Sequence, residues 1–406
     1  MSATESTSRC DVLVVGAGPA GSACARQLAA QGQDVLLADQ HEFPRDKVCG
    51  DGLIPDSHAA LRRLGVWDEV AALARHVGAV RCVGPRGGHV DVPGTLAVLP
   101  RRELDHILVR AAERAGARLL APLRFEAPLE EGGRVVGARL RSAQGTQEIS
   151  ARWVVLATGA ATPPLIAAGL CERQSPSGIA LRGYVRNEAM VERIRALELA
   201  WHPRLRGGYG WIFPAPGGLF NIGTGLTGSH LRQRKGRGRT PGDVNLRRMF
   251  EDFCAVYPPA AELMRGGEIV GPIKGAPLRC GLRGARWSRP GLLGTGEAIG
   301  STYAFSGEGI GKAMETGMLA AAAIVEAGGD DAVRQRYEAT LRGLSPKFDL
   351  YEIASRVNQH PWLADLVVWR ANKSPRILRR LTGVLEETQN PGRLFTFSGI
   401  TKLMFE

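Results

Sequence analysis

Lysine is scarce in this chain: of its 52 basic residues only seven are lysine, so arginine supplies 45, spread along most of the length. A nucleic-acid groove would gather its basic residues together. Dispersed arginine marks a composition bias instead, and the net charge of +12 is read without a nucleic-acid partner. Aromatics are few, at 6% of residues, which makes any clustering of them informative. The seven cysteines contain no C-x-x-C pair, which argues against a structural metal knuckle or a redox dithiol, and no metal site is expected. Unpaired, scattered cysteines fit a reducing compartment. No apolar run approaches the roughly 18 residues of a membrane span, and the opening "MSATESTSR" is polar with no apolar h-region. The expectation is a cytoplasmic protein, at most peripheral to a membrane.

What is present is ordinary globular material, 44% hydrophobic and 23% charged over 406 residues, enough for two or three domain-sized units. Asp11 to Val15 is a β-branched run of the buried parallel type, Gly21 to Ala30 is alanine-rich helix ending at Gly32, and "DVLLAD" is a second strand. This β-α-β order opens a doubly wound sheet. "DSHAALRRLGVWDEVAALA" has helical periodicity, with Asp56 or Ser57 as its cap. Residues 77–99 and 178–279 read as strands and turns, interrupted by the basic stretch "SHLRQRKGRGRTPG", a solvated loop. Helix dominates from 331 to 406. The expected architecture is α/β. Residues 1–76, 100–177 and 280–330 are expected to form a Rossmann-like, discontinuous domain, 77–99 and 178–279 an inserted β-rich domain, and 331–406 a helical C-terminal extension.

"GAGPAG" sets Gly16, Gly18 and Gly21 in G-x-G-x-x-G register between a strand and a helix. The first glycine permits the tight turn, the second admits a pyrophosphate to the backbone, and the third lets helix and strand pack closely. Asp39 ends the second strand, where a ribose hydroxyl needs an acceptor. The motif alone does not separate NAD from FAD. A second segment, "GLLGTGEAIGSTYAFSGEGIGKAMETG", joins a strand, the carboxylate of Glu297 and a glycine-rich turn leading into a helix, whose free N–H groups suit the pyrimidine side of a flavin.

With "KVCGDGL", "RRELD", "GYGWIFP" and the helical tail, these motifs resemble the FAD-dependent geranylgeranyl reductase family, within the flavoprotein hydroxylases of the para-hydroxybenzoate hydroxylase type, over nearly the whole chain. The resemblance implies FAD held by Gly16, Gly18, Pro19, Ala20, Gly21 and Asp39, with Arg45 and Arg101 near the phosphate and ribityl region. It likewise implies Cys49, Gly50, Gly159 and Glu297 along the cofactor, and Gly307, Gly309 and Ile310 beneath the ring. It carries Cys49 over as a catalytic candidate, against the bland reading of a small buried residue. Tyr209 is a candidate proton relay, and Tyr303, just before the glycine turn, is expected to face the ring. Tyr209, Trp211, Phe213 and Pro214 would line a prenyl pocket; by alternation alone the three rings would mark any half-buried strand. The chain departs from the family at "GEA", where an aspartate is usual, and at Thr158-Gly159, where hydroxylases carry Asp-Gly.

The function so implied is C=C reduction in a geranylgeranyl-type chain by hydride from reduced FAD, with NAD(P)H or another reductant as electron source. The alternatives are a monooxygenase acting as hydroxylase or epoxidase, a halogenase-like tailoring enzyme, and a non-catalytic FAD-binding redox protein. The absence of lysine between Lys47 and Lys235 disfavours halogenation of the tryptophan type. "WLADLVVWRANKSPRILRRL" sets arginines beside apolar residues, a pattern that peripheral contact with an anionic membrane or a packed helical cap explains equally.

Overall fold

The computed structural model describes residues 8–171, 175–228 and 244–389; the basic stretch and the last residues of the tail lie outside them. In chain order the elements begin β1 (Ser8–Val15), α1 (Pro19–Ala30), β2 (Val35–Ala38), β3 (Gly52–Leu53), α2 (Pro55–Arg63), α3 (Trp67–Leu73), β4 (Arg75–Val83), β5 (His89–Val98) and α4 (Arg101–Arg114). There follow β6 (Arg118–Leu120), β7 (Arg124–Glu131), β8 (Arg134–Ser142), β9 (Gly145–Leu156), α5 (Thr162–Ala167), β10 (Gly178–Arg186), β11 (Leu197–Ala200), β12 (Gly208–Pro214) and β13 (Leu219–Leu226). The chain continues through α6 (Leu246–Val256), α7 (Pro258–Gly266), β14 (Glu268–Leu278), β15 (Ser288–Arg289), β16 (Leu292–Gly294), α8 (Ile310–Glu326), α9 (Asp330–Ala354), α10 (Arg356–Gln359), α11 (Trp362–Lys373) and α12 (Pro375–Leu385).

The first sheet runs β15-β16-β9-β1-β2-β6, with β8 and then β7 branching from β9. Its centre is parallel: β1 pairs with β2 on one side and β9 on the other. Both faces of β1 are covered, which is why its sequence is a continuous apolar run. Val12 and Val14 join one core with α1, α8 and α9, while Leu13 and Val15 join another with β7, β8 and α5. The crevice beyond the strand ends, where the chain passes from β1 to β2 on one side and from β9 towards β16 on the other, is the expected ligand position in such sheets.

The second sheet runs β14-β10-β13-β12-β11-β4-β5-β3 and is antiparallel except for β4 against β11. It draws strands from both inserted stretches, and Gly52–Leu53 adds a short edge pair to β5. One face packs on α6 and α7 through Ile212, Phe220, Ile222 and Phe253. The other presents Trp201, Tyr209 and Trp211 towards α9, α10 and α11.

Two local readings change. The segment read as one capped helix is two, α2 and α3, separated by Gly65 in the left-handed region at φ 65°. Its cap position is Ile54 and Pro55 occupies the first turn, so Asp56 is inside the helix. Helix α1 starts at Pro19 for the same reason.

Asn358 of α10 ties the C-terminal helices to the second sheet. Fully buried, its amide accepts from Trp201 Nε1 at 2.8 Å and donates to Thr227 Oγ1 at 2.8 Å and to the Phe305 carbonyl at 3.0 Å. Asn358→Leu orphans buried groups on three segments, and each orphaned group costs about 1–3 kcal/mol. We expect a stability loss of about 3 kcal/mol in urea unfolding, whereas Asn372→Leu at an exposed position of α11, where among the described residues the amide meets the His89 carbonyl, is expected to stay within about 0.5 kcal/mol.

Candidate flavin site and apolar chamber

A cavity of about 850 Å³ runs from the strand ends of the first sheet to the helical side of the second. At its first end the chain turns at Gly16, whose φ of 101° only glycine adopts freely. A Cβ at Gly21 would sit 1.7 Å from the Gly16 carbonyl oxygen, so close packing of α1 on the turn requires glycine there, and Gly21 itself does not line the cavity. The cap of α1 is Gly18 and offers no side-chain acceptor, leaving first-turn N–H groups for an anion.

Two guanidiniums converge over that turn. A Cβ on Gly18 would stand 3.7 Å from Nη2 of both Arg45 and Arg101. Both arginines are held by one carboxylate, Asp105, which is fully buried: Arg101 donates to it at 2.6 and 2.8 Å, and Arg45 at 2.9 Å. Burial opposes the charge on Arg101, yet Asp105 and then Cys49 carry its pKa above the ordinary arginine value. Two fixed positive forks facing a helix N-terminus fit the pyrophosphate of FAD. The Thr158 hydroxyl, buried and without a hydrogen-bond partner, is a further polar group on this stretch of the cavity.

Asp39 closes β2 and accepts from the Ala17 N–H at 2.8 Å and the His41 N–H at 3.0 Å, which fixes its carboxylate at the edge of the cleft beside Arg45, 3.6 Å away. Pro19, Ala20, Gly159 and Glu297 line the same cleft. Glu297 accepts from the Arg279 N–H at 3.3 Å, so the extra methylene of "GEA" still brings a carboxylate to the cavity wall. Cys49, Gly50, Gly307, Gly309 and Ile310 line its middle.

The chamber beyond is walled by β12. Tyr209, Trp211 and Phe213 form a ladder of rings with centroids 6.2 and 6.5 Å apart, and all three line the cavity. The bed for the indole is glycine: a Cβ at Gly223 of β13 would meet Trp211 Cζ2 at 2.3 Å. Phe213 in turn lies on the backbone of Gly50 and Gly52, where a Cβ would meet its ring at 3.1 and 3.3 Å. Val367, Leu381 and Leu385 of α11 and α12 form the opposite side.

Asn221 joins this wall to the cysteine loop. It accepts from Trp211 Nε1 at 2.9 Å and donates to the Cys49 carbonyl at 2.8 Å and to Asp51 at 2.7 Å. Asp51 is fully buried at φ 65° and also accepts from Tyr184 at 2.5 Å and from the Arg101 N–H at 3.3 Å. Burial pushes its carboxyl up to about 6, against the pull of Arg182 and these donors. It lines the cavity and leaves the cap of α2 to Ile54; among the described residues its helix contact is to the first N–H of α4.

Tyr303 and Pro214 fall elsewhere, as Gly21 does, and the hydroxyl of Tyr209 is otherwise engaged. Tyr303 does not face the cavity: its ring is stacked on Tyr351 at 3.8 Å within the core, and its phenol donates to Glu387 at 2.9 Å. Apolar packing against α9 claims the ring, and Tyr351 presents the cavity edge of the stack. Pro214 ends β12 opposite Phe220 and is outside the lining. Tyr209 does line it, but its hydroxyl donates to the Ser306 carbonyl, and burial, then Glu308, hold its pKa well above the usual tyrosine range. It is a strut for the glycine turn and a poor acid.

Asp105 and Asn221 were the residues missed. Asp105 had a signal, an Arg–Asp pair at i, i+4 on an amphipathic helix; Asn221 had one in the G-x-G of β13, which marks close approach of a bulky group. Asp105→Asn removes the carboxylate that both arginines share, and FAD affinity measured by flavin fluorescence should fall by about tenfold to a hundredfold, about 1.4–2.8 kcal/mol. An unchanged affinity would detach the arginine pair from cofactor binding.

The comparisons agree with this geometry. An FAD-binding domain family model matches residues 9–194. Menaquinone reductase of Mycobacterium tuberculosis is 34% identical over 330 residues, covering 77% of this chain and 75% of that one. Digeranylgeranylglycerophospholipid reductase 1 of Methanopyrus kandleri is 31% identical over 321 residues, covering 78% and 80%. Among solved structures, a geranylgeranyl bacteriochlorophyll reductase-like protein of Thermoplasma acidophilum superposes with a TM-score of 0.74 at 21% identity, over 98% of this chain and 96% of that one. The flavin-dependent brominase Bmp2 superposes at 0.71 and 20%, over 97% and 99%, so the fold alone does not choose the reaction. The chain is an FAD-dependent oxidoreductase and belongs to the geranylgeranyl reductase family of flavoproteins.

Proposed function

We propose that the protein reduces carbon–carbon double bonds of a prenyl chain. The observation that carries this reading is the continuity of one cavity: a polar cleft suited to FAD opens into a chamber whose aromatic and aliphatic side chains suit an apolar chain. The names of the relatives support it, two of them being reductases of a prenylated quinone and of a prenylated glycerophospholipid. When bound and reduced, FAD supplies hydride. The chain's own residues do the rest. Arg45 and Arg101 hold the pyrophosphate, Trp211 and Phe213 hold the alkene flat, and α11 and α12 exclude water from the chamber. Cys49 stands at the junction of cleft and chamber, beside the Arg101 guanidinium.

The test is anaerobic stopped-flow on reduced holoenzyme, following flavin reoxidation. Geranylgeranyl compounds should reoxidise it in wild type. Trp211→Ala should lower that rate at least about tenfold with flavin content unchanged, since misplacing a reactant is costly in rate. Reoxidation by oxygen alone would overturn the reading and favour an oxygenase.

We further propose that α11 and α12 rest on a membrane surface, where a prenylated lipid is found. Their inner faces line the chamber, while Trp362 and Trp369 are 56% and 44% exposed on the outside. Arg370 and Lys373 lie 5.3 and 4.9 Å from the Trp369 ring, an interfacial pairing of aromatic and cation. Among the described residues no helix is long and apolar enough to cross a membrane. In flotation with phosphatidylglycerol vesicles the protein should rise with the lipid, and Trp362→Ala/Trp369→Ala should stay below; wild type remaining below would remove the proposal.

A further inference from the structure

One stretch of the cavity wall carries an ionisable side chain, Glu308. Glu308 stands between Gly307 and Gly309 in the turn before α8 and lines the cavity. Behind it Lys312, on the first turn of α8, contacts Glu315 at 2.7 Å, Glu387 at 3.1 Å and Asp56 at 3.7 Å. Lys347 of α9 pairs with the same Glu387 oxygen. The side chains of Lys347 and Glu315 are 34% and 27% exposed, whereas those of Glu387, Asp56 and Lys312 are 11%, 10% and 8% exposed. Ionic contacts therefore lead from solvent to Lys312, Asp56 and Glu387, whose charges act on the Glu308 carboxyl at the cavity wall. Gly311 makes room for them, since a Cβ there would lie 2.3 Å from an Asp56 oxygen. Tyr303 belongs to this group as well, through its hydrogen bond to the other Glu387 oxygen.

We propose that Glu308 is the acid that supplies the proton for alkene reduction, and that Asp56, Lys312 and Glu387 return a proton to it from solvent. This rests on the prenyl-reductase reading. In the step the π bond opens; one carbon takes hydride from reduced flavin, and the other forms a C–H bond with the proton of the Glu308 carboxyl. The alkene is reduced by two electrons, the flavin is oxidised by two, and the carboxylate left behind is protonated from water through the cluster.

The electrostatics fit the role. Burial, then the charges of Asp56 and Glu387, push the Glu308 carboxyl up to about 8, opposed by the Ser306 hydroxyl and Lys312. Asp56 is raised to about 6 by burial and then Glu387. Tyr209 of β12 and Tyr351 of α9 face the same carboxyl, and burial first, then Glu308, hold both phenols protonated far into alkaline pH. Lys312 is held charged: burial opposes its charge, and Asp56, Glu315 and Glu387 overcome it. Among these groups Glu308 alone is a protonated acid at neutral pH that gives up its proton within reach of physiological conditions.

Infrared spectroscopy of the holoenzyme tests protonation directly. A protonated-carboxyl band should titrate with a midpoint near 8 and be missing from Glu308→Gln. In the same variant, reoxidation of reduced enzyme by alkene should slow by about 100-fold at unchanged flavin content, and the pH profile should lose its alkaline limb. Glu308→Asp should recover part of the rate, and Asp56→Asn should slow repeated turnover more than a single one. A wild type without the band, or a Glu308→Gln enzyme at full rate, overturns the proposal. Should wild type reduce no prenyl alkene, the functional reading falls, while the infrared titration still decides whether Glu308 holds the proton.

Discussion

The two sheets of this protein meet at one buried carboxylate. Asp51 takes the left-handed conformation that lets it accept from Tyr184 and Asn221 on the second sheet and from the Arg101 backbone at the start of α4. Burying a charge is costly unless donors surround it, and here the donors come from both halves of the molecule. Cys49 and Gly50 precede it in the chain, so the loop where cleft becomes chamber is positioned by that carboxylate. Through Asn221 the same network reaches the Trp211 indole, and through Arg101 it reaches Asp105 and the second arginine. Cofactor cleft and aromatic wall are thus parts of one hydrogen-bonded structure.

Much of the architecture was legible because it is written in local pattern. The β-α-β opening needs only an apolar strand, a glycine turn and an alanine-rich helix, and each announces itself by spacing. The aromatic alternation of β12 was legible too, and its face is the one towards the chamber. What the pattern left open was which half-buried face meets a cavity and which meets a helix. Tyr303 shows the limit. It precedes the glycine turn as a ring-facing residue would, but a helix almost fifty residues further on supplies Tyr351, and stacking takes the phenol into the core. Asp51 shows the same limit, since the partners that fix its role lie 50 to 170 residues away in the chain.

The charged residues divide by what surrounds them. Asp105 is paired with two arginines and serves to aim them, whereas burial first, and then acidic neighbours, favour the protonated form of Glu308. The first arrangement creates fixed positive potential for a diphosphate, and the second creates an acid at the cavity wall. Both depend on exclusion of water, which the C-terminal helices provide by packing on β4 and β5 through Cys82, Val90, Val92, Val368 and Ile377. Loss of that packing would admit solvent to both.

The central claim is that hydride, and not oxygen, reaches a double bond held in this chamber. Mass spectrometry of a geranylgeranyl lipid after turnover with the reduced holoenzyme, in air and under nitrogen, tests it most directly. The account predicts a product heavier by two hydrogens for each bond reduced, formed equally well without oxygen. A product that carries an added oxygen atom and forms only in air would contradict it.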